Sequence, residues 1–364
     1  MGLSAGIVGL PNVGKSTIFN ALCSGKAAAE NYPFCTIDPN SGIVAVPDPR
    51  LERIGAIITT QKVIPAFLEL LDIAGLVRGA SKGEGLGNQF LGHIRSVDAI
   101  VHIVRCFEDD NVVHVDGSVD PVRDAETVNA ELLLKDLETL ERSMERTAKM
   151  AKSGDKEQKS RLATLEKLRD AVGAGKPTRA VPPSEADPAI AQELCLLSSK
   201  KVLYVANVDE EGLEKTNAYT AALMEHAKAE GAECIALCGK IESEIAELPP
   251  EEQADFLATL GLEEPGLHRL VRATYTLLGY QTFFTAGPKE IRAWTIRRGT
   301  SAAKAAGTIH SDFERGFICA EVHTLEDLEQ YGSEAALKNA GKIRQEGREY
   351  IVKDGDLMLF RFNV

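Results

Sequence analysis

The chain has 364 residues, enough for two or three domains. Apolar residues make up 44% and charged residues 26%, which excludes a disordered or low-complexity chain. The net charge of -13 gives no global attraction to nucleic acid or anionic lipid, so any such partner must use a local basic patch.

The seven cysteines are odd in number, scattered, and contain no Cys-x-x-Cys pair, which argues against a zinc ribbon or a redox pair and for reduced thiols. No charged-then-apolar leader opens the sequence, Gly6 breaks a myristoylation signal, and no apolar run is long enough to span a bilayer. The expectation is a cytoplasmic protein without a membrane or DNA partner.

In chain order, Ala5–Leu10, Ile43–Val46, Phe67–Leu71 and Ala99–Val104 read as strands, and so do Val202–Val208 and Cys234–Leu237. Their alternation with helical or Gly-rich stretches predicts an α/β layer with a mostly parallel sheet. Between these blocks, Leu133, Leu137, Leu140 and Met144 recur at helical spacing, and Leu162, Leu165, Leu168 and Val172 do so again. These stripes predict a helical hairpin from about 125 to 173, with a turn at Ser153-Gly154-Asp155 and a Gly/Pro-rich return. The hairpin is locally basic, with 11 Lys/Arg against 5 Asp/Glu from Arg142 to Arg179. It is either a solvated helix surface or a contact arm for RNA phosphates or an acidic partner. After about residue 278, strands at Gln281–Thr285, Ala293–Ile296, Phe317–Val322 and Leu357–Arg361, with a helix near Thr324–Tyr331, predict a small α+β domain. Arg292, Arg297, Arg298 and Lys304 cluster there beside Trp294, which suits RNA stacking or a small core equally well.

Gly9-Leu10-Pro11-Asn12-Val13-Gly14-Lys15-Ser16 satisfies G-x-x-x-x-G-K-[ST] between a predicted strand and a predicted helix. Such a loop wraps phosphates with backbone N–H groups, here from Asn12, Val13, Gly14, Lys15, Ser16 and Thr17, and adds the field of a helix N-terminus. Lys15 is placed to reach the β- and γ-phosphates and Ser16 to coordinate Mg²⁺. Asp72 ends the strand Phe67–Leu71 in an Asp-x-x-Gly, so its carboxylate is a second Mg²⁺ candidate and the Gly75 N–H a γ-phosphate donor. Thr36 lies in a turn-like stretch between them, a third candidate metal ligand and γ-phosphate sensor. Together these residues indicate binding and hydrolysis of a nucleoside triphosphate.

The P-loop, loop threonine and Asp-x-x-Gly resemble a translation-factor-type GTPase domain, and Gly79 to Asn88 resembles the second switch of the Obg family. With the helical hairpin and small C-terminal domain, the whole chain is similar to the Obg-like ATPase branch, called YchF in bacteria. The resemblance implies a P-loop NTPase (Ras-like) core of residues 1–124 and 189–277, an inserted hairpin with linker at 125–188, and a C-terminal β-grasp (TGS-like) domain at 278–364. It also implies a preference for ATP over GTP, and a ribosome or ribosomal RNA partner.

Guanine is ordinarily read by Asn-Lys-x-Asp, and this chain has Asn207-Val208-Asp209-Glu210. The Lys is missing, the fourth position is one methylene longer, and Asp209 comes one residue early, so discrimination for guanine should be poor. Base contacts are expected from Asn207, Val208 and Glu210, and from Cys238 and Gly239 on a second loop. Hydrolysis lacks the usual Gln after Asp-x-x-Gly, because Leu76 stands there. The two substitutes are K⁺ held through Asn12, which matches the position where cation-dependent relatives use Asn and reads equally as a cap of the loop, and water positioned by His114, which also reads as a plain surface-loop histidine. A GTP-hydrolysing ribosome-assembly factor and a nucleotide-gated binding module with incidental hydrolysis stay open. A small-molecule phosphotransferase is disfavoured because no acceptor pocket or Arg-rich lid is apparent.

Overall fold

The computed structural model describes residues 4–24, 40–73, 86–152 and 155–363. Thr36, Gly75, the stretch from Gly79 to Gly85 and the turn at Ser153-Gly154 lie outside the described residues. Among the described residues there are twelve strands: β1 (Ser4–Val8), β2 (Ser41–Ala45), β3 (Val63–Ile64), β4 (Phe67–Asp72), β5 (Ala99–Arg105), β6 (Lys201–Asn207), β7 (Glu233–Leu237), β8 (Tyr280–Ala286), β9 (Ile291–Arg297), β10 (Phe317–His323), β11 (Arg344–Glu346) and β12 (Leu357–Phe362). All of the expected strands are among them.

The first sheet has the order β2-β4-β1-β5-β6-β7. β1 pairs in parallel with β4 and β5, β5 with β6, and β6 with β7. Every residue of β1 and β5 is buried. Strands covered on both faces read as continuous apolar runs, which is why these two were legible. β4 and β5 flank β1 on opposite sides, and the loop after β1 opens into a crevice at the carboxyl ends of these strands. The P-loop lies there.

The described residues form two compact units, one from 4–24, 40–42, 69–73, 86–152 and 155–270, the other from 43–68 and 271–363. In the first, the hairpin helices are Pro121–Ala151 and Lys156–Gly173. Asp120 and Asp155 cap them by accepting backbone N–H bonds, a local signal that starts a helix at each point. The predicted stripes meet: Leu140, Leu165, Leu168 and Val172 form a buried cluster with Leu133, Leu137 and Met144 packed against it. Buried Asp136 accepts the Leu197 and Ser198 N–H groups at 2.7 Å each and so fixes the return to β6.

The second unit carries the sheet β11-β10-β12-β8-β9-β3. Besides the expected helix, Leu325–Tyr331, it has helices at Pro49–Ile57, Ala302–Ile309, Ser311–Arg315 and Glu334–Asn339. Arg50 is clamped by Asp48 and Asp354. Trp294 packs against this unit's core, its indole N–H bonded to Thr285 Oγ1 at 2.9 Å and its ring beneath the Arg292 guanidinium at 4.1 Å.

Candidate functional site

The P-loop turns on two left-handed residues, Asn12 (φ 63°) and Gly14 (φ 87°). A side chain at Gly14 would suffer that φ and place its Cβ 2.2 Å from Asn207 Nδ2. Among the described residues, the helix Lys15–Cys23 begins at Gly14 with no side-chain cap and no acidic residue in its first turn. Its leading N–H groups and positive end are therefore available to an anion. A cleft of about 1010 Å³ opens over this turn, lined at one end by Asn12, Gly14, Lys15, Ser16, Thr17 and Asp72. Its other side is formed by Phe107, Val112, Asn207, Gly239, Lys240, Ser243 and Glu244. The fold thus gathers around one cleft eight of the residues that the motifs single out: Asn12, Gly14, Lys15, Ser16, Thr17, Asp72, Asn207 and Gly239.

Within the cleft Lys15 and Asp72 form an ion pair. Triphosphate would separate them, drawing the ammonium to its oxygens, while the Ser16 hydroxyl and the Asp72 carboxylate are hard oxygen donors of the type Mg²⁺ takes. These two residues fit the metal.

Asn207 joins the two ends of the cleft. It is buried, its Nδ2 donates to Val13 O at 2.8 Å, and its Oδ1 accepts the Gly239 N–H at 2.9 Å. Val13, Val208 and Cys238 are buried, so their side chains belong to the core and only backbone could meet a ligand. Burial pushes the Cys238 thiol up from its ordinary range, which keeps it uncharged.

Neither candidate carboxylate after Asn207 is free. Asp209 accepts the Gly212 N–H at 2.8 Å and caps the short helix Glu210–Glu214. Glu210 is exposed and bonded to Lys240 Nζ at 2.9 Å.

The loop after β5 is organised by a residue that carries no motif. Arg105 is 2% exposed and donates to the carbonyls of Phe107 (3.0 Å), Val112 (2.8 Å) and Asp109 (3.2 Å). Its guanidinium also lies 4.8 Å from the centre of the Phe107 ring. A single Arg at the end of an apolar strand gives no spacing signal, so only the fold reveals this role. Asn12 Nδ2 donates to Val113 O at 3.1 Å and ties this loop to the P-loop.

His114 is not the exposed loop histidine that a surface position would make it. It is 8% exposed, with Nε2 2.8 Å from Asp124 Oδ2 and Nδ1 accepting the Asp116 N–H at 3.1 Å. The helix capped by Asp120 carries Asp124 in its first turn, directly against the loop, which draws the ring inward. His114, Asp116 and Asp124 lie close enough to share a metal ion. Arg123 already supplies positive charge there, pairing with Asp124 at 3.1 Å and Asp116 at 3.8 Å.

Comparison with known proteins agrees with this architecture. Residues 4–151 match the MMR_HSR1 family, described as 50S ribosome-binding GTPase, and residues 280–363 match YchF-GTPase_C, described as a protein of unknown function (DUF933). The chain is 54% identical over 366 residues to the ribosome-binding ATPase YchF of Bacillus subtilis (strain 168), covering 100% of both. It is 52% identical over 364 residues to the protein of that name from Haemophilus influenzae, again covering 100% of both. The structure of the Schizosaccharomyces pombe YchF GTPase superposes with a TM-score of 0.89 at 37% identity, over 99% of this chain and 97% of that one. End-to-end likeness in both sequence and fold, carried by a P-loop cleft of this form, means that the chain belongs to the YchF family of P-loop nucleotide hydrolases.

Proposed function

We propose that this protein is an ATP-preferring, ribosome-associated nucleotide hydrolase that works as a switch in translation or stress response. The observation that carries the base preference is the engagement of Asp209 as the cap of its own helix, beside a Glu210 that is one methylene longer than the usual acceptor. A guanine reader must accept from the ring N1–H and the exocyclic 2-amino group, and a site without that acceptor loses its discrimination. Here Asp209 caps its own helix and Glu210 is held by Lys240. Adenine asks for no such carboxylate, and Asn207, Gly239 and neighbouring backbone suffice to seat it. Ribosome association is supported by the names of the full-length bacterial relatives, and it accords with a cytoplasmic protein. The basic hairpin and the C-terminal part, read as TGS-like, are the arms of the 1–124/189–277, 125–188 and 278–364 division that would contact ribosomal RNA or protein.

For hydrolysis, Lys15 and the N–H groups from Asn12 to Thr17 bind and orient the triphosphate. Ser16 and Asp72, with Thr36, would hold Mg²⁺, which neutralises charge on the β- and γ-oxygens when bound. Gly75 would add its N–H to the γ-phosphate. Val13 and Val208 serve through backbone, Cys238 and Gly239 border the base, and Glu210 closes its edge through Lys240. Asn12 would hold K⁺ through its amide oxygen. His114 would position the attacking water, which requires it to leave Asp124.

Calorimetric titration with non-hydrolysable ATP and GTP analogues, under identical Mg²⁺ and K⁺, tests the central claim. Tighter ATP binding is expected. Tighter GTP binding would move the protein to the GTP-hydrolysing reading with its phosphate chemistry intact. The inward His114 favours a second reading, a nucleotide-gated binding module. Sub-stoichiometric phosphate release even with K⁺ and ribosomes would select it.

A further inference from the structure

His114 occupies a socket whose hydrogen bonds fix its tautomer. Nδ1 accepts the Asp116 N–H at 3.1 Å, so the ring proton sits on Nε2 and is donated to Asp124 Oδ2 at 2.8 Å. With both nitrogens engaged and the side chain 5% exposed, the imidazole has no lone pair for a water in the cleft. Asp124 is itself 1% exposed and stands in the first turn of the helix Pro121–Ala151.

Removing a partner from a buried carboxylate ordinarily carries a heavy penalty. Asp124 escapes it. Its other oxygen, Oδ1, accepts from Arg123 Nε at 3.3 Å and Nη2 at 3.1 Å, and the positive end of its own helix favours its charge. Arg123 is anchored independently, donating to Ser118 O at 2.6 Å. The carboxylate therefore keeps its counter-charge when the histidine departs. The second tether is Asn12, which holds Val113 O and also lines the cleft. A ligand that turns the Asn12 side chain toward itself would withdraw Nδ2 from the residue next to His114.

We propose that Asp124 is a positioning residue for hydrolysis: it holds His114 out of the nucleotide cleft, and parting of the His114–Asp124 bond admits the imidazole to the reaction. This rests on the reading of His114 as the water-positioning group. Ligand-driven loss of the Asn12–Val113 bond is the trigger, and a parked histidine predicts slow basal turnover.

The test is steady-state phosphate release from ATP with Mg²⁺ and K⁺ by the full chain, for wild type, H114A, D124A, D124N and H114A/D124A, with thermal melts alongside. D124A is expected to raise kcat about three- to ten-fold, as loss of one charge-assisted hydrogen bond enlarges the competent population, with KM within about two-fold. D124N, which keeps a neutral acceptor of the same shape, should rise less. The double variant should run at the H114A rate, and imidazole ¹⁵N spectra should show faster exchange of the His114 ring proton in D124A than in wild type. A slow H114A combined with Asp124 variants that are no faster than wild type would overturn the latch alone. A rise that survives in H114A/D124A would also overturn it. If H114A hydrolyses like wild type, the reading of His114 fails and the proposal with it. Should D124A not fold, D124N decides by the same signs.

Discussion

The two ends of the cleft are built by different means. At the phosphate end the ligand-facing groups come from one stretch, Asn12 to Thr17, with Asp72 from the neighbouring strand. Their placement follows from a turn with two positive-φ residues and a helix that starts without a side-chain cap. The base end is assembled from three distant loops, after β5, β6 and β7, held by side-chain bonds such as that of Asn207, which spans 194 residues to Val13. A phosphate site can therefore be recognised from a motif, while the proposed base preference turns on side chains that the fold brings in from distant loops.

The phosphate end should give the largest effect and treat both nucleotides alike. Lys15→Ala removes the flexible cation of the P-loop, and kcat/KM for ATP and for GTP should fall by about 100-fold or more. A loss confined to one nucleotide would break the distinction between the two ends. Asn207→Ala strikes the bond that joins them. Two buried hydrogen bonds disappear and Val13 O and Gly239 N lose a partner, so urea unfolding should report a loss of about 2–3 kcal/mol. KM should rise about ten-fold for both nucleotides. An unchanged KM would show that the ends are positioned independently.

Both ends rest on the strands of one sheet, and pH offers a way to ask whether they melt together. His102 in β5 is fully buried, and burial, aided by Arg179 and His226, holds its imidazole down to about 3. The unfolded chain takes up this proton near pH 6.5 and the folded chain does not, so the unfolded state binds more protons below that pH. The stability is fully present above pH 6.5 and is lost as pH falls toward 3, at about 1.4 kcal/mol per pH unit. Other groups contribute over the same range. Burial raises Asp136 and Glu242, which works in the opposite direction. Comparing wild type with His102→Leu isolates the histidine: the wild-type urea midpoint should fall more steeply from pH 6.5 to 4.5. Parallel curves would remove His102 as the cause.

Much of the scaffold was legible because its signals are local. Runs such as Ala99–Val104 announce buried strands, the leucine stripes announce the two hairpin helices, and the P-loop spacing announces its own turn. Contacts that cross the sequence were not legible. Asn12 reaches Val113 across 101 residues, and nothing in either segment encodes the pairing. His114 lies only ten residues from Asp124, yet its inward turn depends on the first turn of the hairpin helix docking beside the loop. The two-residue β3 is too short to show a period. The helix Ala302–Ile309 buries only alanines, which carry little apolar signal, and the Gly307 within it is a helix-weakening residue that allows close approach of Glu314.

The smallest effect belongs to Lys240→Ala, which probes the base end alone. The Lys240–Glu210 pair is 71% and 61% exposed, so solvent screens it and little stability depends on it. Freed, Glu210 could turn toward a guanine edge, but its extra methylene and flexible geometry limit what it can gain. The ratio of ATP to GTP affinity should therefore shift toward GTP by only about two-fold, with phosphate release from ATP nearly unchanged. A shift of about ten-fold or more would make the ion pair itself the selector, and the base preference would then rest on Lys240 in place of the missing Asp. No shift at all would mean that Glu210 is misplaced for guanine whether or not it is paired, leaving Asn207 and the backbone as the whole of the base site.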